Sequence, residues 1–381
     1  MNSKNTGGDK TFWHTAFSLL FLVITFVPLS SGCTSDGSLP DPDPDPNIPQ
    51  TYVLAEPDDA NIIYHGRIDH SNPKAPRILW AGSGFTTFFE GTSVKLVMEG
   101  SDANNYYNVI IDDQTDARDT IRSIKGEREY KFDGLGEGIH KLQVLRRTDP
   151  TSSAGIFKGI LIEEGTELLY SDYQIPELKI EFYGNSITTG HGILDETRNN
   201  NDDKSTWDNY LSYASVTARE LGADYRCISM SGIGILKSWY YLTMPMVYNR
   251  IDPHDDQSQW DFSLWTADIV VINLFQNDSW LLKGKTNEEI IAAYESFVSK
   301  IRTEYPDAHI FCALGNMDIT RTSSKWPGLV ETAVENLNTN GDQKIYSIMF
   351  PYKNTSAHPN VSEHQSMADL LVPFIRQKTG L

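Results

Sequence analysis

Residues 179–191, KIEFYGNSITTGH, decide how this chain folds. The apolar side chains in the first half of this stretch are typical of a buried strand. Gly184 and Asn185 then end the strand, so that Ser186 is predicted to lie on the turn that leaves it. A turn from a strand into a helix exposes a serine hydroxyl beside unpaired backbone N–H groups, as a nucleophilic serine requires. Gly-Asn-Ser is also ordinary turn chemistry, so this stretch alone leaves both interpretations open.

From residue 178 onward, strand-like and helical patterns alternate. Thr286 with Glu289, and Ser362 with Gln365, are predicted to be capping boxes that open two of the helices. The strand-like segments are largely apolar, as parallel strands buried on both faces should be. They are residues 178–183, 224–230, 268–275, 308–314 and 344–350. This alternation predicts a doubly wound parallel-sheet α/β/α sandwich.

Four candidate functional residues follow the predicted strands. Ser186, Gly232 and Asn277 come just after the first three, and His358 follows the fifth by a short loop. In such sheets ligands bind beyond the carboxyl ends of the strands. We therefore expect these four residues to meet at one edge of the sheet.

The blocks around these residues resemble, in order and type, the four blocks of the SGNH (GDSL-type) hydrolases. GNSITTGHG is similar to the nucleophile block with Asn185 in place of the usual Asp, and SGIG, QND and HPN are similar to the glycine, asparagine and histidine blocks. The resemblance covers residues 178–381 and implies the SGNH-like fold.

The same resemblance implies the chemistry of each residue. Ser186 would attack an ester carbonyl and carry the acyl group, and His358 would act as general base. The oxyanion hole would consist of the N–H groups of Ser186 and Gly232 and the side-chain amide of Asn277.

A third catalytic residue is absent from its usual place. The family usually has Asp two or three residues before the histidine, whereas this chain has Ser and Thr there. We predict a dyad of Ser186 and His358, with the Nδ1 atom of His358 bonded to a main-chain carbonyl. Asp278 or Glu363 within hydrogen-bond reach of His358 would overturn the dyad.

Residues 52–171 show a different pattern. Four short β-rich runs are separated by Gly, Asp and Asn turns, which predicts an all-β jelly-roll or sandwich domain. The runs are residues 92–98, 106–111, 139–145 and 159–162. Scattered residues, among them Arg67, Trp80 and His140, resemble the N-terminal β-domain of carbohydrate esterase family 2. Trp80 is expected in the core and His140 as a hydrogen-bonded strand-end residue, and a structural cap or a sugar-binding module both remain open.

The N-terminal residues 1–32 have the pattern of a secretory signal. An apolar run shorter than the roughly 20 residues of a membrane span ends in small residues before Cys33, which resembles a bacterial lipoprotein lipobox. Residues 33–51 are rich in Asp and Pro and are predicted to be a stiff linker. We expect lipidation of Cys33 and a location in the bacterial cell envelope, lipid-anchored or secreted, with the anchor as the protein's only contact with a membrane.

Charge and cysteine content restrict the partners. The chain has a net charge of −19, and without residues 1–32, which hold two Lys and one Asp, it has −20. Such a surface repels phosphate backbones, so nucleic acid is not an expected partner. Cys227 and Cys312 lie in apolar segments and are predicted to be buried thiols with no disulfide. Neither has a metal-ligand partner at suitable spacing, so no metal and no cofactor are predicted.

The resemblance implies a carbohydrate acetyl esterase acting on glycans such as xylan or mannan. Trp239 and Trp280 follow the glycine and asparagine blocks and could stack on a sugar ring or belong to the core. Two alternatives remain: a non-catalytic glycan-binding surface lipoprotein, and a lipase or lysophospholipase of the same fold. Residues 195–204, a polar loop, are expected to be a solvated insertion or to rim the site.

Overall fold

The computed structural model describes residues 50–170, 173–199, 202–355 and 357–381. The predicted signal segment, Cys33 and nearly all of the predicted linker lie outside the described residues, as does Ser356. In the described part of the chain, no helix is both long enough and apolar enough to cross a membrane.

The first part of the described chain is an antiparallel β-sandwich, as the sequence predicts. One sheet has the order β3-β4-β11-β6-β9, with β1 paired to β11, and the other has the order β2-β5-β10-β7-β8. The strands are β1 (Tyr52–Ala55), β2 (Ile63–His65), β3 (Ile68–Asp69), β4 (Arg77–Ile78), β5 (Gly84–Glu90), β6 (Val94–Gly100), β7 (Asn105–Ile111), β8 (Asp119–Ser123), β9 (Gly126–Phe132), β10 (Ile139–Arg146) and β11 (Gly155–Glu163).

Aromatic side chains from both sheets fill the space between them. Phe85 of β5 stacks on Phe157 of β11 with ring centroids 4.2 Å apart, and both rings are buried. The expectations for Trp80 and His140 are confirmed. Trp80 is buried, and the His140 ring is hydrogen-bonded on both nitrogens, to Asp112 and to a backbone carbonyl.

The second part is built on a five-stranded parallel sheet with the order β13-β12-β14-β15-β16. Its strands are β12 (Lys179–Gly184), β13 (Asp224–Ser229), β14 (Ile269–Asn273), β15 (His309–Leu314) and β16 (Ile345–Met349). All five predicted segments form strands. β12, the first strand of this sheet along the chain, lies between β13 and β14. The strand order therefore reverses at β12, and this reversal creates the switch point at which such sheets bind ligands.

Seven α-helices connect or follow these strands in the described residues. They are α1 (Ser186–Thr189), α2 (Tyr213–Leu221), α3 (Met244–Val247), α4 (Gln276–Leu281), α5 (Asn287–Glu304), α6 (Trp326–Thr339) and α7 (Val361–Thr379). The predicted capping box of Thr286 and Glu289 is confirmed at α5. The box predicted for Ser362 and Gln365 is wrong: α7 begins two residues earlier than that box requires, and its capping box is formed by Asn360 and Glu363.

Helices cover both faces of the parallel sheet. Alternate strand residues point to opposite faces, so Phe182 packs with α2 and α7 on one face while Tyr183 packs with α5 and α6 on the other. Cys227 and Cys312 are buried free thiols, and burial raises the pKa of these thiols to about 11 and about 12. The architecture is the predicted α/β/α sandwich.

The sandwich and the parallel-sheet part pack against each other, and residues 50–381 form one compact unit. Arg67 of the sandwich and Glu181 of β12 form a fully buried ion pair of 2.9 Å. The indole of Trp80 donates to the Ile251 carbonyl at 2.8 Å. Because these buried polar contacts cross the boundary between the predicted domains, residues 52–171 and 178–381 share an extensive interface, and their limits stay predictions.

Candidate active site

The strand ends that carry the site are level with one another. In the register of the sheet, Gly184 at the end of β12 lies beside Ser229 of β13 and Asn273 of β14. The residues that follow each strand therefore emerge at one edge, as the sequence predicts. Ser186 is the first residue of α1, and the Asn185 side chain caps this helix by accepting from the Ile187 N–H at 3.0 Å.

Gly184 must be glycine for this turn to form. A Cβ atom at that position would lie 2.0 Å from the Thr188 hydroxyl oxygen, which is closer than any real contact. All four residues of α1 are buried, and the turn places Ser186 in the wall of the cavity.

His358 lies against the proposed nucleophile. Its Nε2 atom is 2.9 Å from the Ser186 Oγ atom, a hydrogen-bond distance that joins residues 172 positions apart. Burial, together with the nearby His191 and Lys353, holds the pKa of His358 well below its ordinary value. The ring is therefore neutral at physiological pH and has a lone pair available to accept the serine proton.

Three hydrogen-bond donors belong to residues that line the same cavity as His358. The Ser186 N–H belongs to the first residue of a helix and has no intrahelical acceptor. Among the described residues, neither it nor the Gly232 N–H donates a hydrogen bond. Gly232 has a φ of +84°, a conformation that favours glycine.

The amide of Asn277 is held in one orientation. Its Oδ1 atom accepts from the Trp239 indole at 3.1 Å, and its Nδ2 atom donates to the Ile233 carbonyl at 2.7 Å. Because Trp239 fixes Oδ1 as the acceptor, Nδ2 is the donor end of the amide, and it retains a second N–H. Trp239 therefore fixes the orientation of the amide that is predicted to supply an oxyanion donor.

No carboxylate takes the place of the missing triad aspartate among the described residues. Asp278 accepts from the backbone N–H groups of residues 235–237, at 2.7 to 3.0 Å. Glu363 pairs with Arg198 at 2.9 Å and completes the cap of α7. Neither reaches the His358 ring, and the main-chain partner of Nδ1 stays a prediction.

These residues line an open cavity of about 420 Å³. Ser186, Gly232, Asn277 and His358 are all part of its wall, so the structure brings the four predicted residues together. Trp239 and Trp280 line it as well, and 63% of Trp239 and 42% of Trp280 are exposed. Both indoles thus lie at the site and not in the core.

Comparison with known proteins identifies the family of the chain. A model of the carbohydrate esterase 2 N-terminal domain matches residues 64–171. A solved family two carbohydrate esterase from Clostridium thermocellum, in complex with cellohexaose, is 31% identical over 84% of this chain and 99% of its own, with a TM-score of 0.78. The chain belongs to carbohydrate esterase family 2.

Other relatives of this family 2 member differ in length. The cellulase/esterase CelE of Acetivibrio thermocellus is 32% identical over 333 residues, which are 85% of this chain and 40% of CelE. The chain therefore spans well under half of that protein. An acetylxylan esterase / glucomannan deacetylase of Cellvibrio japonicus is 25% identical over 94% of this chain and 98% of its own length. The fold of this family 2 chain is the SGNH-like α/β sandwich preceded by a β-sandwich.

Sequence reasoning missed a stack of side chains on the His358 ring of this family 2 chain. The His191 ring lies on the His358 ring with centroids 4.1 Å apart, and the Trp207 ring lies on His191 at 3.9 Å. The Lys204 ammonium sits 3.4 Å from the centre of the Trp207 ring. His191 falls inside the nucleophile block, five residues after Ser186, and that position was the one available signal.

The polar loop at 195–204 was expected to be a solvated insertion or to rim the site, and parts of it do each. Arg198 ties it to α7 through Glu363, while Asp202 and Lys204 line the cavity. Residues 200 and 201 lie outside the described residues. The loop of this family 2 chain is therefore partly a structural insertion and partly the rim of the site.

Proposed function

We propose that the protein is a serine esterase that removes O-acetyl groups from carbohydrates, with acetylated xylan or mannan as the substrate class. The observation that carries this proposal is the 2.9 Å contact between the Ser186 hydroxyl and His358 Nε2, in a cavity whose wall also holds the residues of the three proposed oxyanion donors. This set is what acyl transfer through an acyl-enzyme requires.

In the first half of the reaction, the Ser186 Oγ atom attacks the carbonyl carbon of the acetyl group while its proton passes to His358 Nε2. The carbonyl oxygen becomes an oxyanion held by the N–H groups of Ser186 and Gly232 and the amide of Asn277. The bond to the sugar oxygen then breaks, and His358 returns the proton to that oxygen. The acetyl group is left on Ser186 and the sugar hydroxyl is released.

In the second half, water takes the place of the sugar hydroxyl. His358 accepts a proton from water, which attacks the acetyl carbon, and acetate leaves as Ser186 regains its proton. The lowered pKa of His358 serves both halves because the ring is neutral at rest, and its protonated form is acidic enough to release the proton readily.

The substrate class is supported by the cavity and by the relatives. Trp239 and Trp280 offer exposed indole faces beside the nucleophile, and apolar faces of sugar rings pack well on such planes. The Cellvibrio japonicus relatives are named acetylxylan esterase / glucomannan deacetylase.

The alternatives predict different behaviour. A lipase or lysophospholipase needs an apolar channel for a long acyl chain, but apart from its indoles the wall here is mostly polar and includes Asn104, Thr151, Asp202 and Lys204. A non-catalytic glycan-binding protein has no need of a serine in hydrogen-bond contact with a neutral histidine. Both alternatives fit the cavity less well than an acetyl esterase.

The experiment is acetate release by the full chain from acetylated xylan, acetylated glucomannan and p-nitrophenyl acetate. We expect activity that is lost in Ser186→Ala and kept in Ser299→Ala, a matched control on the exposed side of α5. A chain that binds the polysaccharides but releases no acetate would support the glycan-binding alternative. A preference for long acyl esters would support the lipase alternative.

We further propose that Cys33, which lies outside the described residues, is lipidated and anchors the protein in a bacterial cell envelope. Support comes from the apolar segment, the small residues before the cysteine and the Asp- and Pro-rich stretch that follows. Membrane fractionation of cells producing the wild type or Cys33→Ser tests it. We expect the variant to leave the membrane fraction, and equal partitioning of the two would contradict the anchor.

A further inference from the structure

One residue of the β-sandwich reaches directly into the loop that supplies an oxyanion donor. Asp149 lies three residues after the end of β10 and is fully buried. Its Oδ2 atom accepts from the Ser231 N–H at 2.6 Å. Ser231 immediately precedes Gly232, whose N–H is the second proposed donor to the oxyanion.

The other oxygen of Asp149 is also occupied. Its Oδ1 atom accepts from the N–H of Thr151 at 2.9 Å and from the hydroxyl of the same residue. Arg146 braces the segment by donating to the carbonyls of Thr148, Asp149 and Ser153, and it is the buried cation near this carboxylate. Other residues of the sandwich therefore hold the Asp149 carboxylate in place, in addition to its bond to the loop.

Tyr240 holds the same loop from the opposite side. Its hydroxyl donates to the Ser231 carbonyl at 2.9 Å. The Ser231 carbonyl and the Gly232 N–H belong to one trans peptide, so they point in opposite directions. Anchoring the carbonyl against Tyr240 therefore sets the direction of the Gly232 N–H, while Asp149 fixes the preceding peptide.

We propose that Asp149 is a positioning residue for the oxyanion hole, so that the β-sandwich completes the catalytic site of the α/β part. This inference rests on the proposed esterase function. A charged acceptor on a backbone N–H makes a stronger bond than a neutral one, and a buried donor left without its acceptor is costly. The loop is thus held in the orientation that the tetrahedral intermediate needs.

The first test is Asp149→Asn in the full chain. Asparagine has one acceptor oxygen, and if that oxygen keeps the two Thr151 donors, its NH₂ group faces the Ser231 N–H and repels it. We expect kcat for p-nitrophenyl acetate to fall about 10- to 100-fold, less than the loss of a whole donor costs. The KM should change by less than about threefold, because the displaced donor acts on the transition state.

The matched control is Asp252→Asn. Asp252 is also a buried carboxylate at the boundary of the two parts, where it pairs with Arg77 of the sandwich at 2.9 Å, and it does not line the cavity. Its replacement should lower the melting temperature by an amount similar to Asp149→Asn and leave kcat unchanged. Equal kcat values for the two variants would overturn the positioning role.

A second variant keeps the test decisive if Asp149→Asn folds poorly. Tyr240→Phe removes the other anchor of the same loop and should also lower kcat. Since both side chains act through one short loop, their effects in the double variant should be less than multiplicative. Fully multiplicative effects would contradict a shared action on the Gly232 N–H.

Labelling by a fluorophosphonate supplies a readout that needs no sugar substrate. The Ser186 Oγ atom forms a bond to phosphorus, fluoride leaves, the proton passes to His358, and the phosphoryl oxygen occupies the oxyanion hole. We expect Asp149→Asn to slow this labelling by the same factor as kcat. If the wild type neither releases acetate nor reacts with the fluorophosphonate, both the proposed function and this inference are overturned. If the wild type is active and Asp149→Asn is unaffected, only the inference is overturned.

Discussion

Replacing Glu181 by Gln should destabilise the protein by about 3–5 kcal/mol, because it leaves the guanidinium of Arg67 charged and buried without its counter-ion. Both side chains are fully buried and 2.9 Å apart. Burial by itself would lower the pKa of Arg67, but Glu181 and the neighbouring tyrosines outweigh it and raise that pKa above its ordinary value. A guanidinium keeps its proton in proteins, so Arg67 remains charged when Glu181 is replaced.

The surroundings of the pair explain why the loss should be large. Glu181 also accepts hydrogen bonds from the hydroxyls of Tyr183, at 2.5 Å, and Tyr305, at 2.8 Å. Glutamine has only one acceptor oxygen, so it cannot serve both the guanidinium and the two phenols. Arg67 keeps a hydrogen bond to the Tyr248 carbonyl at 2.6 Å, but a neutral acceptor does not replace the negative charge of Glu181.

Urea unfolding followed by tryptophan fluorescence measures the effect. Lys285→Ala is the control, since it breaks an ion pair with Glu289 in which both side chains are more than two-fifths exposed, and such pairs contribute at most about 1 kcal/mol. If Glu181→Gln cost no more than this control, the buried pair would not hold the sandwich to the α/β part, and the reasoning would be refuted.

Three further results are expected. The ratio kcat/KM should hold its neutral-pH value down to below pH 6, because the pKa of His358 lies well below its ordinary value of 6.5 and the ring stays neutral in mild acid. A pH profile in which kcat/KM falls with a midpoint at or above pH 6.5 would contradict this. Stability should fall by about 2.3 kcal/mol between pH 6.5 and 4.5 through His364 alone, because burial lowers its folded pKa to about 3 and only the unfolded chain takes up the proton. Denaturant titrations of His364→Gln should lack this part of the pH dependence, and an unchanged slope would oppose it. Asn277→Ala should reduce kcat about 10²- to 10³-fold with a native circular dichroism spectrum, and a loss below threefold would remove Asn277 from the oxyanion hole.

The parallel-sheet part could be predicted because its strands carry their own signal. The three inner strands are short and buried on both faces: β14 is buried along its whole length, and β12 and β15 are buried at every residue but the first. The order of the blocks then places Ser186, Gly232, Asn277 and His358 at one edge, since the strand ends are in register. Local sequence was enough for this inference because Ser186, Gly232 and Asn277 closely follow strands that were themselves recognisable, and a short loop joins the fifth strand to His358.

The β-sandwich was only partly predictable. Strand β9, GEREYKF, is mostly charged and exposed, so it carries no apolar run and is held by pairing with β6.

The capping box predicted at Ser362 was wrong because two overlapping segments have the same pattern. Asn360 and Glu363 satisfy the same spacing two residues earlier, and the pattern alone could not choose between the two frames.

The supporting residues of the site could not have been found from the sequence. Asp149 and Arg67 meet their partners across 82 and 114 positions, and nothing local to either residue marks the contact. The stack behind His358 likewise joins residues from separate loops. A charge or a ring acquires such a role only when the tertiary fold brings its partner to it.

The most direct measurement of the central claim is acid quenching of the enzyme during turnover of p-nitrophenyl acetate, followed by peptide mass spectrometry. We predict an acetyl group on the peptide that contains Ser186, missing in Ser186→Ala and greatly reduced in His358→Ala. Turnover with no acetyl group on that peptide, or turnover that survives Ser186→Ala, would contradict an acyl-enzyme formed at the meeting point of these four strand-end residues.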